Sequence, residues 1–203
     1  MSRTAILDAA EAILRDEGYA AVSSRKVAAV AGLKSKLVHY YFKTMDELFL
    51  ALLHRAEQRH FQALCKAIAC EEPLKALWQL SIDPDVPRLH KEFVALATHR
   101  NQLRQEIARA AERTRDIYAA AAEKALHTAG LSSETYPPVA VGMLMDGMAR
   151  VMSADKMLGL DSGHTEAVAL VESLLARLGP LTRASDNVAG AAAQSSGPIV
   201  THD

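Results

Sequence analysis

Little in this sequence marks it for a membrane, for export or for a fold held together by disulfides. No apolar run reaches the roughly 18 residues of a membrane-spanning helix, and the N-terminus lacks a secretory signal, which predicts a cytoplasmic protein without a membrane partner. Only two cysteines occur, Cys65 and Cys70, and we expect ordinary buried or half-buried thiols. Because they lie five positions apart on one predicted helix, a disulfide or a metal site is not expected.

Catalytic motifs are missing as well. The eight histidines are scattered without an HExxH pair, and the chain has neither a G-x-S-x-G motif nor a phosphate-binding glycine loop. No pair of carboxylates differs from the ordinary solvated charge of helices. We therefore predict that the protein is not an enzyme, with no catalytic residue, no metal ligand and no cofactor.

Helix-forming sequence, by contrast, extends along most of the chain. Half of the 203 residues are hydrophobic, enough to bury a core, and they recur at helical spacing. An all-α protein is predicted. The predicted helices are Arg3–Asp16, two short helices within 23–42, Asp46 to about Ala69, Leu74–Leu80, Arg88–Thr98, a long helix that Gly130 ends, Val139 to about Leu158, and Thr165–Leu178. Pro84 and Pro87 predict a break before the helix at Arg88.

The stretch of residues 23–42 predicts two short helices joined by a tight turn. Ser23 or Ser24 would cap the first helix, and Gly32 permits the sharp turn after it because glycine tolerates positive φ. The second helix begins near Ser35. Its apolar spacing predicts an inward face made of Leu37, Val38, Tyr41 and Phe42.

This stretch is cationic although the chain as a whole has a formal net charge of −1. Residues 23–43 contain no Asp or Glu, and their cations are Arg25, Lys26, Lys34, Lys36 and Lys43. Lys and Arg neutralise phosphates, while the hydroxyl, imidazole and phenol groups beside them suit base edges. The residues therefore predict a surface that enters the major groove of DNA.

Residues 3–53 resemble the DNA-binding domain of the tetracycline-repressor (TetR) family. The resemblance rests on a co-linear set of segments: Ile6–Ala10, Glu17–Tyr19, Val27–Leu33, Tyr40–Phe42 and Asp46–Leu48. It covers about a quarter of the chain, and beyond it only the helix pattern and the length agree. The resemblance implies an N-terminal three-helix domain with a helix-turn-helix, followed by a C-terminal helical domain for ligand binding and dimerisation.

The resemblance also implies which residues contact DNA. Arg25 would fork onto the N7 and O6 atoms of a guanine, and base contacts would concentrate at the start of the second helix, the recognition helix. An aromatic block that follows would meet phosphates or thymine methyls. The implied set is Ser24, Arg25, Lys34, Ser35, Lys36, Leu37, His39, Tyr40, Tyr41 and Lys43.

Two residues, Tyr41 and Arg3, have an alternative role, and two positions, His39 and Met45, differ from the residue that family members usually have. Tyr41 can equally be a structural aromatic beneath the helix. His39 stands where family members usually have Tyr, and Met45 stands where many have a phosphate-binding Lys, so that Lys43 is expected to supply that charge. Arg3 is implied as a phosphate contact, with a solvated arginine as the alternative.

The predicted organisation has three parts. A helix-turn-helix domain occupies residues 1–45, an effector-binding and dimerisation domain occupies residues 46–180, and residues 181–203 form a disordered tail because they hold too little apolar bulk to fold. The helix that begins at Asp46 would span roughly 36 Å and link the first two parts.

The last two predicted helices have wide apolar faces. Such helices can pack against the same pair from a second subunit as a four-helix bundle. Family members dimerise in this way, so the resemblance implies a homodimer, and a buried hairpin within one subunit is the alternative.

The resemblance further implies an effector cavity in the segment between Leu64 and Met152. Candidate lining residues combine apolar bulk with a few polar tips, as small-molecule pockets do. They are Trp78, Phe93, His99, Leu103, Tyr118 and Met143. Because acidic residues are scarce among them, a neutral or anionic apolar effector is favoured over a cation.

These expectations describe a homodimeric transcriptional regulator, a repressor that a small apolar effector releases from a near-palindromic double-stranded DNA operator. Two other classes are kept as alternatives. One is a helical-bundle small-molecule-binding protein or enzyme without a role in DNA regulation. The other is an architectural DNA-binding protein that has no effector.

Overall fold

The computed structural model describes residues 2–83 and 85–178, and of residues 85–88 the backbone alone. The described residues form helices and no strand, which confirms the predicted all-α class. The helices are α1 Ser2–Glu17, α2 Ser24–Val30, α3 Ser35–Tyr41, α4 Met45–Ile68, α5 Pro73–Ile82, α6 Asp85–Ala97, α7 Asn101–Thr128, α8 Pro138–Met157 and α9 His164–Leu178, with a 3₁₀ turn at Tyr19–Ala21 after α1. The predicted tail, residues 181–203, lies outside the described part. We call α1–α3 the head and α5–α9 the body, which α4 connects.

The break predicted around Pro84 and Pro87 is shorter than expected. Helix α6 begins at Asp85, so that Pro87 lies in its first turn and not in a connection. Proline is tolerated there because the first N–H groups of a helix have no partner within the helix.

The two cysteines also differ from the prediction, since both are free and exposed. They lie near the C-terminal end of α4, where Cys70 Sγ donates to the carbonyl oxygen of Lys66 at 3.4 Å. Neither thiol packs into a core.

Side-chain caps at the helix ends account for several of the boundaries. Ser23 Oγ accepts a hydrogen bond from the Lys26 N–H at 3.3 Å and begins α2. At the start of α4, Thr44 Oγ1 accepts from the Glu47 N–H at 3.1 Å, and Glu47 Oε2 accepts in return from the Lys43 N–H at 2.8 Å. This reciprocal capping fixes where α4 begins after α3.

Two hydrophobic cores are present in the described residues. The first joins the head to the first half of α4, and the end of α6 and the start of α7 pack into it. Its members include Ile6, Leu14, Val27, Val38, Phe42, Leu52, Phe93, Leu96 and Leu103. The second core joins the end of α4 to the body and includes Leu64, Trp78, Tyr118, Ala122, Met145 and Val171. Helix α6 therefore belongs to the packing of the head as well as to the body.

Polar contacts also connect α6, and the junction after it, to the head and to α4. The Glu92 carboxylate of α6 accepts a hydrogen bond from the Tyr19 N–H at 2.9 Å, beside Gly18, whose φ is 81°. Arg100 Nε, between α6 and α7, pairs with Asp46 Oδ1 at 2.7 Å, and its guanidinium carbon lies 5.4 Å from the centre of the Phe49 ring. A displacement of α6 would therefore change the position of the head directly.

Candidate DNA-binding surface and effector region

The turn between α2 and α3 is a hydrogen-bonded helix stop. The Leu33 N–H donates to the Ala28 carbonyl at 2.8 Å, and the Gly32 N–H donates to the Ala29 carbonyl at 3.2 Å. This pair of bonds is the Schellman arrangement, which needs a residue of positive φ, and Gly32 has φ 65°. The turn sets the angle at which α3 leaves α2.

Packing beneath α3 then determines which of its side chains face outward. Val38 and Phe42 are buried in the first core, as the apolar spacing predicts, whereas Leu37 is only half-buried. Tyr41 is more exposed than the predicted inward face requires, and its ring meets the Tyr40 ring edge to face with centroids 5.2 Å apart. Tyr40 is 76% exposed.

The residues predicted to contact DNA lie on one helix-turn-helix unit. Its exposed members are Arg25, Lys34, Lys36, His39, Tyr40, Tyr41 and Lys43, and its half-buried members are Ser24, Ser35 and Leu37. Lys26, the remaining cation of the stretch, pairs with Glu17 at the end of α1. The charge available to a phosphate backbone is therefore carried by the predicted residues, and Lys26 is held toward α1.

The start of α1 lies beside the end of α3. The Arg3 guanidinium carbon stands 5.2 Å from the centre of the Phe42 ring, close enough for a cation–π contact. Arg3 is exposed, so this contact adds a cation to the border of the helix-turn-helix surface.

A charged network behind the head ties α1 to α4. Glu11 is 5% exposed, and its carboxylate accepts from Arg55 Nη2 at 2.5 Å and from Arg59 Nη2 at 2.6 Å. Arg55 also pairs with Asp8 at 2.5 Å and donates to the Leu7 carbonyl at 2.9 Å. Burial by itself would raise the pKa of Glu11, but the hydrogen bonds and charges of Arg59 and Arg55 outweigh it and lower that pKa.

The sequence did not identify this network. A glutamate among the apolar residues of α1 is the signal that could have flagged it, because a carboxylate is rarely buried without a partner. The partners lie on another helix, and nothing in the local sequence points to them.

The six predicted effector-contacting residues are not gathered in one place. Trp78 and Tyr118 lie in the second core, whereas Phe93 and Leu103 lie in the first. His99 and Met143 are exposed. His99 and Leu103 border a shallow pocket of about 230 Å³ at the start of α4, together with Asp46, Leu50, Arg100, Asn101 and Gln102.

Around Tyr118 the body contains buried polar atoms. The Tyr118 hydroxyl donates to the Leu77 carbonyl at 2.9 Å and contacts Ser81 Oγ, and burial raises its pKa to about 12. The Trp78 indole N–H is buried and has no partner among the described residues. A buried polar atom without a partner costs free energy unless water or a ligand satisfies it.

A second group of polar side chains, which sequence reasoning missed, lies where α4, α6 and α8 meet. We call His60, His90, Asp146 and Arg150 the polar cluster. Arg150 Nε pairs with Asp146 Oδ2 at 2.7 Å, and Arg150 Nη1 lies 2.9 Å from His90 Nε2. Burial lowers the pKa of His90 to about 4 and also lowers the pKa of His60, whose Nδ1 is buried without a partner in the described structure.

Two other kinds of site are absent from the described residues. No group of three or more His, Cys, Asp or Glu side chains there could hold a metal ion. None of the described helices combines the length and the apolar character needed to cross a membrane.

Comparison with known proteins gives a family match for the N-terminal part. Residues 6–52 match the family described as bacterial regulatory proteins, tetR family, which confirms the resemblance over that segment. No curated protein matches the chain.

Solved structures extend the likeness of fold to the body. A TetR transcription regulator from Haloarcula marismortui ATCC 43049 superposes with a TM-score of 0.65 at 18% identity, covering 86% of this chain and 96% of that one. A member of the TetR family from Streptomyces coelicolor A3 gives 0.62 at 24% identity, with 89% and 99% covered. The multidrug binding protein EbrR, complexed with imidazole, gives 0.61 at 22% identity, with 92% and 99% covered.

Proposed function

We propose that this DNA-binding transcriptional regulator is a homodimeric repressor that a small-molecule effector releases from its operator. The premise is the match of residues 6–52 to the tetR family of bacterial regulatory proteins. The observation that carries the proposal is the helix-turn-helix unit. Its outward side chains are cationic and polar, and no carboxylate interrupts residues 23–43.

The apolar surface of the last two helices supports the homodimer. Leu144 on α8 is 74% exposed, and several other large apolar side chains of α8 and α9 are also exposed: Val139, Met143, Val151, Leu170 and Leu174. A stripe of this kind is costly in water and marks an interaction surface. A second copy of α8 and α9 would cover it, and twofold symmetry would place two recognition helices on successive major grooves, about 34 to 36 Å apart.

The contacts between head and body support a response to an effector. Helix α4 is bound to α1 through Glu11 and α6 is bound to the end of α1 through Glu92, while Arg100, just after α6, pairs with Asp46 at the start of α4. An effector that binds the body more tightly in a DNA-released arrangement shifts the population toward that arrangement. A hundredfold preference corresponds to about 2.7 kcal/mol.

Selection from a random duplex library tests the DNA-binding part. We expect the purified protein to enrich a near-palindrome and to retard that duplex in a gel as a dimer. Enrichment of no sequence, or of a site without twofold symmetry, would contradict the proposal.

Substitution of the apolar stripe tests the dimer. Leu144→Asp combined with Leu174→Asp should yield monomers in sedimentation and abolish tight binding to the two-half-site duplex. Leu131→Asp, an exposed leucine in the loop after α7, serves as the control and should leave the protein dimeric.

A thermal-shift screen of small molecules, followed by gel shifts with the molecules that raise Tm, tests the effector response. Compounds that stabilise the protein should weaken its hold on the selected duplex. If every stabilising compound leaves DNA binding unchanged, the release mechanism is wrong.

A further inference from the structure

The polar cluster brings together polar side chains from three helices that are distant in sequence. His60 comes from α4, His90 from α6, and Asp146 and Arg150 from successive turns of α8. Arg150 has only donors, so its contact of 2.9 Å with His90 Nε2 requires that nitrogen to be an acceptor, and the imidazole is therefore neutral.

The charges of the cluster balance only while both imidazoles are neutral. Asp146 supplies one negative charge and Arg150 one positive charge, and the two are paired at 2.7 Å. Each imidazole is poorly hydrated, and the buried Nδ1 of His60 has no partner among the described residues. The guanidinium carries five N–H donors, of which these contacts use Nε and Nη1.

We infer that the polar cluster is the subsite for the carboxylate of an apolar organic acid, held by Arg150 and by His60 and His90. This inference rests on the proposed function, in which the body binds an effector. Arginine is suited to carboxylates because its planar fork matches their geometry, and charge-assisted hydrogen bonds are about twice as strong as neutral ones. The carboxylate of Asp146 is already paired with Arg150 at 2.7 Å, so a cationic ligand would have to compete with the guanidinium for the one carboxylate of the cluster.

The surroundings of the cluster fit the rest of such a molecule. Met145 and Ala149, the neighbours of Asp146 and Arg150 in sequence, are buried in the second core beside Tyr118. The Arg150 side chain is about half exposed, so solvent reaches the cluster from one side. An acid could therefore direct its carboxylate toward Arg150 and its apolar part toward the body.

Other titratable groups lie on the helices that form the cluster or pack against them. Burial is the main cause of the raised pKa of Tyr118 of α7, and the charges of Asp146 and Arg150 act on that pKa in opposite directions. On α4, Glu57 is half-buried, and burial raises its pKa. On α6, Lys91 contacts Met157 Sδ at 3.2 Å. Burial lowers the pKa of Lys91, and the charge of Asp155 acts in the opposite direction. The two imidazoles are the groups of the cluster whose charge can change to offset a bound anion between pH 6 and 8.

Proton uptake follows from this arrangement. In the free protein the pKa of each imidazole is lowered, to about 4 for His90, so both are largely neutral at pH 7. A bound carboxylate favours the protonated imidazole and raises its pKa, so binding takes up protons and becomes tighter as the pH falls from 8 to 6. The ligand stays ionised throughout, since a carboxyl group has a pKa of about 4 to 5.

Isothermal titration of the full chain with three probes of equal chain length tests the inference. The probes are octanoate, octan-1-ol and octylamine, titrated at pH 6, 7 and 8 in MOPS and in Tris, which differ in ionisation enthalpy. We expect octanoate to bind about tenfold more tightly than octanol and to bind with net proton uptake, and octylamine to bind most weakly. Equal affinities for the acid and the alcohol, a preference for the amine, or no binding of octanoate would overturn the inference.

Variants then assign the effect to the cluster. Arg150→Gln should remove the preference for octanoate over octanol, and His60→Gln with His90→Gln should remove its pH dependence. Arg115→Gln, an exposed arginine of α7, is the control and should change neither. An unchanged preference in Arg150→Gln would overturn the inference.

Gel shifts on the same protein preparations separate this inference from the proposed function. Retained binding to the selected duplex by a protein that does not prefer octanoate means that the effector class is wrong while the regulator stands. Failure of the unmodified chain to bind any selected duplex means that the proposed function itself is wrong.

Discussion

The head and the body differ in where their polar chemistry lies. In the head the cations of the helix-turn-helix point outward from a packed core, while the buried carboxylate of Glu11 lies at the back, against α4. In the body the polar cluster lies between helices that contribute one or two side chains each. A surface that meets DNA can be built from one continuous stretch, whereas an interior site needs helices from several parts of the chain.

The largest loss of stability is expected from substituting Glu11, the buried residue of the head whose partners lie on a helix distant in sequence. Glu11→Ala leaves Arg55 and Arg59 without their shared carboxylate and should lower the free energy of unfolding by about 3 kcal/mol. Urea denaturation measures the change. Glu17→Ala removes an exposed carboxylate of α1, the helix that also carries Glu11; Glu17 is paired with Lys26 of α2, and its loss should cost less than about 1 kcal/mol. Equal losses in the two variants would show that the buried network is no more important than a surface pair.

The pH dependence of stability provides a second test of the Glu11 carboxylate. The pKa of Glu11 is lowered in the folded state, so its stabilisation is complete above the unfolded pKa and is lost as the pH falls through the lower, folded value. The difference in stability between the wild type and Glu11→Gln should therefore shrink as the pH is lowered below about 4. A difference that grows on acidification would contradict the lowered pKa.

In the body, a close approach of α7 and α8 provides the next test. A Cβ atom at Gly142 of α8 would lie 2.7 Å from Tyr118 Cβ of α7, so Gly142→Ala should cost about 2 kcal/mol through overpacking. Gly147→Ala on the same helix meets nothing within 4 Å and should be neutral or stabilising, because alanine favours helix. Thermal unfolding of both variants measures the effect, and a stable Gly142→Ala would mean that α7 and α8 are less closely packed.

On the outer surface of the head, Arg25→Ala should change function without changing the fold. The side chain is exposed, so Tm should stay within a degree or two, whereas affinity for the selected duplex should fall by about 1 to 3 kcal/mol and base preference should relax at one position. Gel shifts with duplexes substituted at single positions measure this. Unchanged affinity and preference would remove Arg25 from the contacts.

The smallest effect is expected from Lys36→Ala. If this exposed lysine meets a phosphate, its loss should weaken binding to all duplexes alike and reduce the slope of log affinity against log salt by about 1. Lys66→Ala, an exposed lysine near the far end of α4, is the matched control and should leave the slope unchanged. A loss confined to the selected duplex would instead make Lys36 a base contact.

Prediction from sequence succeeded where neighbouring residues settle the outcome. The turn at Gly32, the cap at Ser23 and the burial of Val38 and Phe42 follow from local spacing, because the partners lie within a few positions. Which core a residue joins depends on partners that are remote in sequence: Phe93 and Leu103, both expected effector contacts, pack into the first core together with the head.

The sequence by itself determined the helical class, the cationic helix-turn-helix and the positions of most helix ends, because helix periodicity, capping and charge act over one or two turns. Only the tertiary structure decided that Glu11 of α1 joins Arg55 and Arg59 of α4 and that His90 of α6 meets Arg150 of α8. The partners in each contact come from different helices, and which helices pack together is not determined within any one local segment.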